Sequence, residues 1–166
     1  MESDKFQIEI ADRAHLALGY EWIVKEPDRA QQTCRPIDPL PPKRRWLRKA
    51  LEDARAGRLL ALILVDSREP HTPIGRSVAF GFNPRNRSIE FGYYLPEMNR
   101  GRGLGRILAD RAIDFLFSDR SMALNKIYAT TSENNIPSIR LLEVSGFHID
   151  GVHREGQLPR SSTVGC

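Results

Sequence analysis

The sequence predicts an α+β fold in which a mixed, mostly antiparallel sheet is flanked by helices. Three apolar or alternating runs, at residues 59–65, 74–82 and 88–95, follow one another with turns between them, as in an antiparallel meander. The pattern then changes to helix, strand, helix and strand, and such crossover units add strands in a mixed orientation. The chain has 166 residues, 40% of them hydrophobic, and residues 1–166 are expected to form one domain with its own core.

The first part of the chain predicts one strand and two helices. Residues 6–10 alternate between apolar and polar and indicate a strand. Asp12 is a suitable cap for the helix that follows. Residues 26–40 are polar and contain prolines, which is typical of a loop. A second helix is predicted at residues 43–56, where apolar residues form one stripe, and Gly57 ends it.

Within and after the meander, turn residues and periodicity set the expected boundaries. Residues 66–73 are assigned to a loop, and Asn83 begins a hairpin turn. The four elements that follow alternate between helix and strand and are predicted at residues 104–117, 126–130, 137–144 and 147–152. Residues 155–166 then leave room for one short strand at most, so the C-terminal strand region is expected to be shortened.

Composition limits the kind of partner without selecting one. The net charge of +4 favours anionic partners such as a nucleotide cofactor, an acidic protein or RNA, of which nucleic acid is the least expected. No apolar run approaches the roughly 20 residues that span a bilayer, and no secretory signal is visible, so we expect a cytoplasmic protein without a membrane partner. Cys34 and Cys166 do not make a disulfide framework, and no metal-ligand spacing is present.

The segment from Arg100 to Gly105, with the sequence RGRGLG, carries the strongest functional signal. It lies between a predicted strand and a predicted helix. Glycines allow a tight turn and a close backbone approach to a ligand, and the first N–H groups of a helix form a site for phosphate. Arg100 and Arg102 add positive charge. We therefore expect a pyrophosphate site here.

Other interpretations of this segment fit less well. A dinucleotide fold would place Glu133 near a ribose, but too few crossover units follow to build a doubly wound sheet. A P-loop needs Lys and Ser or Thr after its last glycine, whereas Gly105 is followed by Arg106 and Ile107. A flexible turn without a ligand remains an alternative for the loop alone.

Two motifs together resemble the GNAT superfamily of N-acetyltransferases. Leu95-Pro96 followed by Arg100-x-x-Gly103-x-Gly105 resembles the acetyl-CoA signature of that superfamily. Downstream, Asn135-x-x-Ser138 with Gly146-Phe147 is similar to its second conserved segment. The resemblance covers about residues 59–152 and looks closest to the branch that contains the ribosomal-protein N-terminal acetyltransferases.

The resemblance implies a GNAT fold whose sheet splays open at the central strands and holds the pantetheine arm of acetyl-CoA. Backbone groups of Tyr94 and Leu95 would pair with the arm. The N–H groups that would hold the pyrophosphate belong to Arg100, Gly101, Arg102, Gly103, Leu104 and Gly105. Asn135 would contact the pantetheine or phosphate region, and Ser138 would lie near the thioester sulfur.

Amide formation from a thioester needs a base for the amine and an acid for the thiolate. Glu90 is the candidate base, although a structural or substrate-orienting carboxylate, with an ordered water as base, is the alternative. Where the family often has a Tyr, this chain has Leu142. Ser138 is therefore the candidate acid, with capping of its helix as the alternative role, and Tyr93 or Tyr94 could also donate.

The expected activity is transfer of an acetyl or other acyl group from acetyl-CoA, or another acyl-CoA, to a primary amine of a small molecule or peptide. One alternative donor is an acidic acyl carrier protein docked on the basic cluster Lys43, Arg44, Arg45 and Arg48. A second alternative is a non-catalytic module that binds CoA or a protein partner. An exposed edge at the shortened C-terminal region would favour a homodimer.

Overall fold

The protein is described by a computed structural model that covers residues 5–27, 39–153 and 161–165. Most of the loop predicted at residues 26–40, as well as Cys34 and Cys166, lies outside the described residues. In chain order the elements are β1 (Phe6–Ile10), α1 (Arg13–Lys25), α2 (Lys43–Arg55), β2 (Leu59–Asp66), β3 (Glu69–Asn83), β4 (Ser88–Tyr94), a 3-10 helix (Glu97–Asn99), α3 (Leu104–Ser118), β5 (Lys126–Ser132), α4 (Ile136–Val144), β6 (His148–His153) and β7 (Ser161–Gly165).

The strands form one sheet in the order β1-β2-β3-β4-β5-β7-β6. Neighbouring strands are antiparallel except β4 and β5, which run parallel. The predicted mixed, mostly antiparallel sheet is therefore confirmed. The parallel pair lies at the centre of the sheet, and this position determines where the site forms.

Helices cover both faces of the sheet, because successive side chains of a strand point to opposite faces. On β2, Ala61 packs with Leu16 of α1 and Leu47 of α2. Its neighbour Leu62 packs on the other face with residues of α3 such as Leu116. The central strands are therefore buried on both faces, which accounts for the continuous apolar run in β2.

The helix ends follow the predicted signals. The Oδ1 atom of Asp12 accepts a hydrogen bond of 2.9 Å from the backbone N–H of His15 at the start of α1. Gly57 follows α2 with a φ of +68°, a conformation that glycine adopts without strain. In the β3–β4 turn, Oδ1 of Asn83 accepts from the N–H groups of Arg85 and Asn86, as expected for an Asn-initiated turn.

One prediction of secondary structure was wrong. The loop at 66–73 is almost entirely strand, because β3 begins at Glu69. Pro73 pairs with Val65 beside two register shifts, and prolines are tolerated at such irregular positions of a ladder. The strand after Gly146, β6, is followed by β7, which inserts between β5 and β6.

The strand β7 fills a defined place in the sheet. All five residues of β7 pair with β5, and β7 also pairs with β6. The edge on this side is therefore β6, where Ile149 and Val152 are exposed. No helix among the described residues is long and apolar enough to cross a membrane.

Candidate active site

The central parallel strands pair over only three residue pairs and then separate. Ser88, Ile89 and Glu90 of β4 pair with Lys126, Ile127 and Tyr128 of β5, and the pairing ends there. Both strands continue beyond this point, to Tyr94 and Ser132. The sheet is therefore open at the place where the sequence predicted a splayed centre.

A cleft of about 620 Å³ occupies the opening between these strands. Its walls are β4, β5, the glycine loop before α3, and the first turns of α4. The cleft brings together eight of the predicted site residues, namely Tyr94, Leu95, Arg100, Gly101, Gly103, Gly105, Asn135 and Ser138. Of the other three, Glu90 and Arg102 lie outside its lining, and Leu104 is buried in the core.

The glycine loop has the backbone conformation that its sequence predicts. Gly101 and Gly103 have φ values of +72° and +74°, in the left-handed region that disfavours a side chain. Gly103 is the N-cap of α3, and no side chain of the described residues forms a capping hydrogen bond there. The first N–H groups of α3 have no acceptor within the helix and are directed toward this end.

Gly105 has a different role from the two loop glycines. A Cβ atom at this position would lie 2.6 Å from Cδ1 of Leu141 and 3.1 Å from Cδ1 of Leu95. Such contacts are too short for ordinary packing. Gly105 therefore allows α3 to approach α4 and the end of β4 closely, which sets the width of the cleft.

The positive charge that the sequence analysis assigned to Arg100 is paired within the protein. Its guanidinium forms a salt bridge of 2.5 Å with Oε2 of Glu26, and its Nε donates to the carbonyl oxygen of Leu95 at 2.9 Å. The side chain of Glu26 is only 3% exposed. The charge of Arg100 is thus balanced from the end of α1, and the side chain fastens the loop to the neighbouring structure.

Tyr94 completes this arrangement on the α1 face. Its hydroxyl donates to Oε2 of Glu26 at 2.7 Å, and its ring stacks on Trp22 with a centroid separation of 6.0 Å. Burial, and then the hydrogen bond to Glu26, raise the pKa of Tyr94 to about 12. Tyr94 is therefore neutral at ordinary pH and holds α1 against the strand that lines the cleft.

Two cations that the sequence analysis missed line the cleft. Arg106, in the first turn of α3, and Arg140, on α4, are both exposed lining residues. Arg102, which was expected to supply charge, lies outside the lining. Spacing within the loop favoured Arg102, whereas the position of Arg140 depends on how α4 packs, so the local sequence held no signal for it.

A pair of hydroxyl groups lies inside the cleft at the start of α4. The Tyr93 hydroxyl donates to Oγ of Ser138 at 3.0 Å. Burial raises the pKa of Tyr93 above its usual value, so the phenol keeps its proton. Tyr93 is therefore the tyrosine whose hydroxyl meets Ser138 in this cleft, while Leu142, at the position where the family often has a tyrosine, is 1% exposed and part of the core.

Asn135 is the cap of α4, a role that the sequence analysis had considered for Ser138. Its Oδ1 accepts from the backbone N–H of Ser138 at 3.3 Å. Because Asn135 caps the helix, the Ser138 hydroxyl is not needed for that purpose. The hydroxyl is thereby left available on the cleft side of α4.

Glu90 lies at the last residue pair before the strands separate. Its register partners are Phe80 on β3 and Tyr128 on β5. By strand alternation its side chain shares the α1 face with Gly92 and Tyr94, as predicted. Glu90 is partly buried and lies beside the cleft rather than within its lining.

Comparison with known families gives the class of the protein. Residues 7–148 match the acetyltransferase (GNAT) domain family, and the chain belongs to that family. Two Bacillus proteins match shorter segments. A probable N-acetyltransferase of Bacillus subtilis is 31% identical over 39% of this chain, and an uncharacterised N-acetyltransferase of Bacillus licheniformis is 35% identical over 45% of it. These matches span only 34% and 43% of the relatives' own lengths.

Solved structures agree on the fold. Spermidine N-acetyltransferase from Vibrio cholerae, in complex with CoA and spermine, aligns with a TM-score of 0.83 over 98% of this chain and 95% of its own. A dodecameric structure of that enzyme in an intermediate state aligns with a TM-score of 0.79 over 98% of this chain and 94% of its own. Identity is 18% in both cases, so the likeness establishes the GNAT fold. Among the described residues, no group of three metal-ligating side chains lies together.

Proposed function

We propose that the protein transfers an acetyl or other acyl group from an acyl-CoA to a primary amine. One observation carries this proposal: the cleft between the separated strands β4 and β5 leads to the uncapped N-terminus of α3. A pantetheine arm fits between the strands because both have unpaired backbone groups there. A pyrophosphate fits the helix start because its N–H groups and Gly103 leave room for anionic oxygens.

An unsatisfied polar atom inside the cleft supports the fit of a polar, elongated donor. The hydroxyl of Thr131 on β5 is buried and has no hydrogen-bond partner in the described part of the chain. Buried hydroxyl groups are ordinarily paired. Thr131 is a lining residue of the cleft, and an amide of the pantetheine arm would supply the missing partner. Arg106 and Arg140 would attract the phosphates.

The acyl-CoA supplies the activated acyl group, and the residues of this chain move protons around it. Glu90, at the base of the opening, is proposed to accept the proton of the amine, directly or through a water. Ser138 is proposed to donate to the leaving sulfur. Because Tyr93 donates to the oxygen of Ser138, the hydrogen of Ser138 is free to point elsewhere.

The acceptor is proposed to be a small amine or a peptide N-terminus. Resemblance to the ribosomal-protein branch supports a peptide, whereas the Vibrio cholerae relative is named for spermidine. A carrier-protein donor has less support, since two cations of the basic cluster pair within the protein: Lys43 with Glu21 and Arg48 with Glu52. A homodimer through the edge strand β6 is supported by the exposed Ile149 and Val152.

Release of free thiol from acetyl-CoA, measured over a panel of primary amines, tests the activity. Amine-dependent release supports the proposal, and tight CoA binding with no release for any amine would support the non-catalytic alternative instead. The same acyl group on CoA and on a carrier protein separates the two donors. Glu90→Gln should lower kcat and change the pH profile while CoA affinity, measured by calorimetry, stays the same. An unaltered pH profile would remove Glu90 as the base.

A further inference from the structure

Glu26, Arg100 and Tyr94 form a closed triangle of contacts beside the cleft. Oε2 of Glu26 accepts a hydrogen bond of 2.5 Å from Nη2 of Arg100 and one of 2.7 Å from the hydroxyl of Tyr94. The guanidinium carbon of Arg100 lies 5.7 Å from the centroid of the Tyr94 ring, within the range of a cation–π contact. Each side chain therefore contacts the other two, and the place of each depends on the others.

Glu26 is the member of this triangle that lies outside the cleft. Arg100 and Tyr94 are lining residues, whereas the side chain of Glu26 is only 3% exposed. Glu26 is the C-cap of α1, and its backbone N–H donates to the carbonyl oxygen of Ile23. The carboxylate is thus fixed to the end of a helix and reaches the cleft through Arg100 and Tyr94.

The side chain of Arg100 anchors the start of the glycine loop. Its guanidinium binds Glu26, and its Nε donates to the carbonyl oxygen of Leu95 at 2.9 Å. The next residue, Gly101, has a φ of +72°, and residues 101–103 are exposed. Arg100 therefore fixes the point from which the exposed glycines continue to the start of α3.

The salt bridge also determines which cations are available to an anionic ligand. The charge of Arg100 is balanced by Glu26, while Arg106 and Arg140 are exposed lining residues. Arg106 approaches Asp110 only to 3.4 Å, and both of these side chains are exposed, so the pair is weak. A diphosphate at the loop would thus gain from Arg100 chiefly through the geometry that it maintains.

We propose that Glu26 is a positioning residue for the acyl-CoA donor: by holding Arg100, it keeps the N–H groups of the glycine loop in the arrangement that binds the diphosphate. This inference rests on the proposed function and adds a residue of α1 to the donor site. Loss of the carboxylate would have two opposed effects, since it loosens the loop and also frees a cation in the cleft. The loosened loop has to be ordered again on binding, whereas the freed charge is solvated and screened. Binding should therefore become weaker.

Calorimetry with CoA tests the sign of this effect directly. Glu26→Gln should weaken CoA binding by about tenfold, since hydrogen bonds to charged groups are strong. In steady-state kinetics the KM for acetyl-CoA should rise by a similar factor, while kcat at saturating donor stays within about threefold, because Glu26 does not line the cleft.

Two variants of Arg100 show whether Glu26 acts through it. In an Arg100→Gln background, Glu26→Gln should change CoA affinity by less than about twofold. Arg100→Lys keeps the charge but cannot bind Glu26 and the carbonyl of Leu95 together, so it should also weaken CoA binding. This variant leaves the buried carboxylate paired with a cation, and it tests the same contact if Glu26→Gln does not fold.

Fragments of the donor show where the effect lies. As competitors of acetyl-CoA, ADP carries the diphosphate and pantetheine does not, so Glu26→Gln should weaken ADP alone. Asp53→Asn is the control variant. Asp53 on α2 pairs with Lys49 and accepts from Nε of Arg58 at 2.8 Å, and it lies outside the lining of the cleft. Its loss should leave the affinity for CoA unchanged.

Unchanged or tighter CoA binding in Glu26→Gln would overturn the positioning role and leave the acyltransferase proposal standing. Equal losses with ADP and pantetheine would do the same, and so would a full loss in the Arg100→Gln background. A wild-type protein that binds no CoA would overturn both.

Discussion

The hydroxyl oxygen of Tyr93 lies 3.0 Å from Oγ of Ser138, and both residues line the cleft between β4 and β5. The two come from different elements, the end of strand β4 and the first turn of helix α4. Their contact gives the site an ordered hydroxyl pair although Leu142 is apolar. Ser138 of this pair is the side chain that we propose to protonate the leaving thiolate.

Ser138→Ala should lower kcat by about 10²-fold, in the range of general-acid contributions, with little effect on acetyl-CoA affinity. Tyr93→Phe should lower kcat less, by about five- to tenfold, because only the hydrogen bond that orients Ser138 is lost. Steady-state kinetics with a fixed amine measures both. In the double variant the second change should add little, since the two groups act as one unit.

Acetyl donors whose thiols differ in acidity provide a second test of the role proposed for Ser138. An acetyl donor with a more acidic thiol needs less protonation as it departs. The defect of Ser138→Ala should therefore shrink with such a donor. A defect of the same size with both donors would show that Ser138 does not protonate sulfur.

Gly103→Val should weaken CoA binding at least tenfold, because a side chain at a φ of +74° strains the loop and blocks the approach of oxygens to the helix start. Gly57→Val is the matched control. Gly57 has a φ of +68°, and a Cβ atom at either glycine would meet no neighbouring atom within 4 Å. Both variants should lose about 1–2 kcal/mol of stability. Calorimetry should find the affinity loss in Gly103→Val alone.

Glu26→Gln should lower the free energy of unfolding by about 1–2 kcal/mol. Breaking a buried ion pair typically costs more, but the side chain of Arg100 is 37% exposed, and solvent reduces the loss. In urea titrations the Glu26→Gln, Arg100→Gln double variant should be less destabilised than the sum of the single changes. Strict additivity would mean that the two side chains do not interact energetically.

Asp12→Ala should cost about 1 kcal/mol, since the cap of α1 is lost. The hydrogen bond from His15 N–H lowers the pKa of Asp12 below its usual value. A depressed pKa means that the carboxylate contributes its stability above pH 3.8, and that this contribution disappears as pH falls through the folded-state value. Asp12→Asn keeps the acceptor oxygen but removes this titration. As the pH is lowered from 6 to 3, the urea midpoints of the wild type and of Asp12→Ala should therefore converge. The urea midpoint of Asp12→Asn should change less over the same range.

Local sequence predicted the parts of the molecule that local chemistry determines. The cap at Asp12, the turn at Asn83 and the left-handed Gly103 all follow from the conformations and hydrogen bonds that those residue types favour. The prediction of a loop at 66–73 was wrong because the irregular pairing of Pro73 with Val65 accommodates a proline within β3. Here the partner strand, not the local sequence, decides the structure.

The site was predicted where the motif determines it and missed where tertiary contacts do. Strand alternation placed Glu90 and Tyr94 on one face, yet it could not tell which of two adjacent tyrosines meets Ser138. The bond from Arg100 to Glu26 joins residues 74 positions apart, so no window of sequence contains it.

The parallel strands β4 and β5 share only three residue pairs. Beyond these pairs each strand has an edge inside the molecule whose amides and carbonyls do not pair with the other strand. A donor that bridges them would behave as an extra, removable strand and join the two halves of the sheet. Binding of the donor should then raise the melting temperature in proportion to the logarithm of the ligand concentration. It should also slow amide hydrogen exchange along both strand edges together. The empty protein would be the more susceptible of the two forms to proteases and to strand-mediated aggregation.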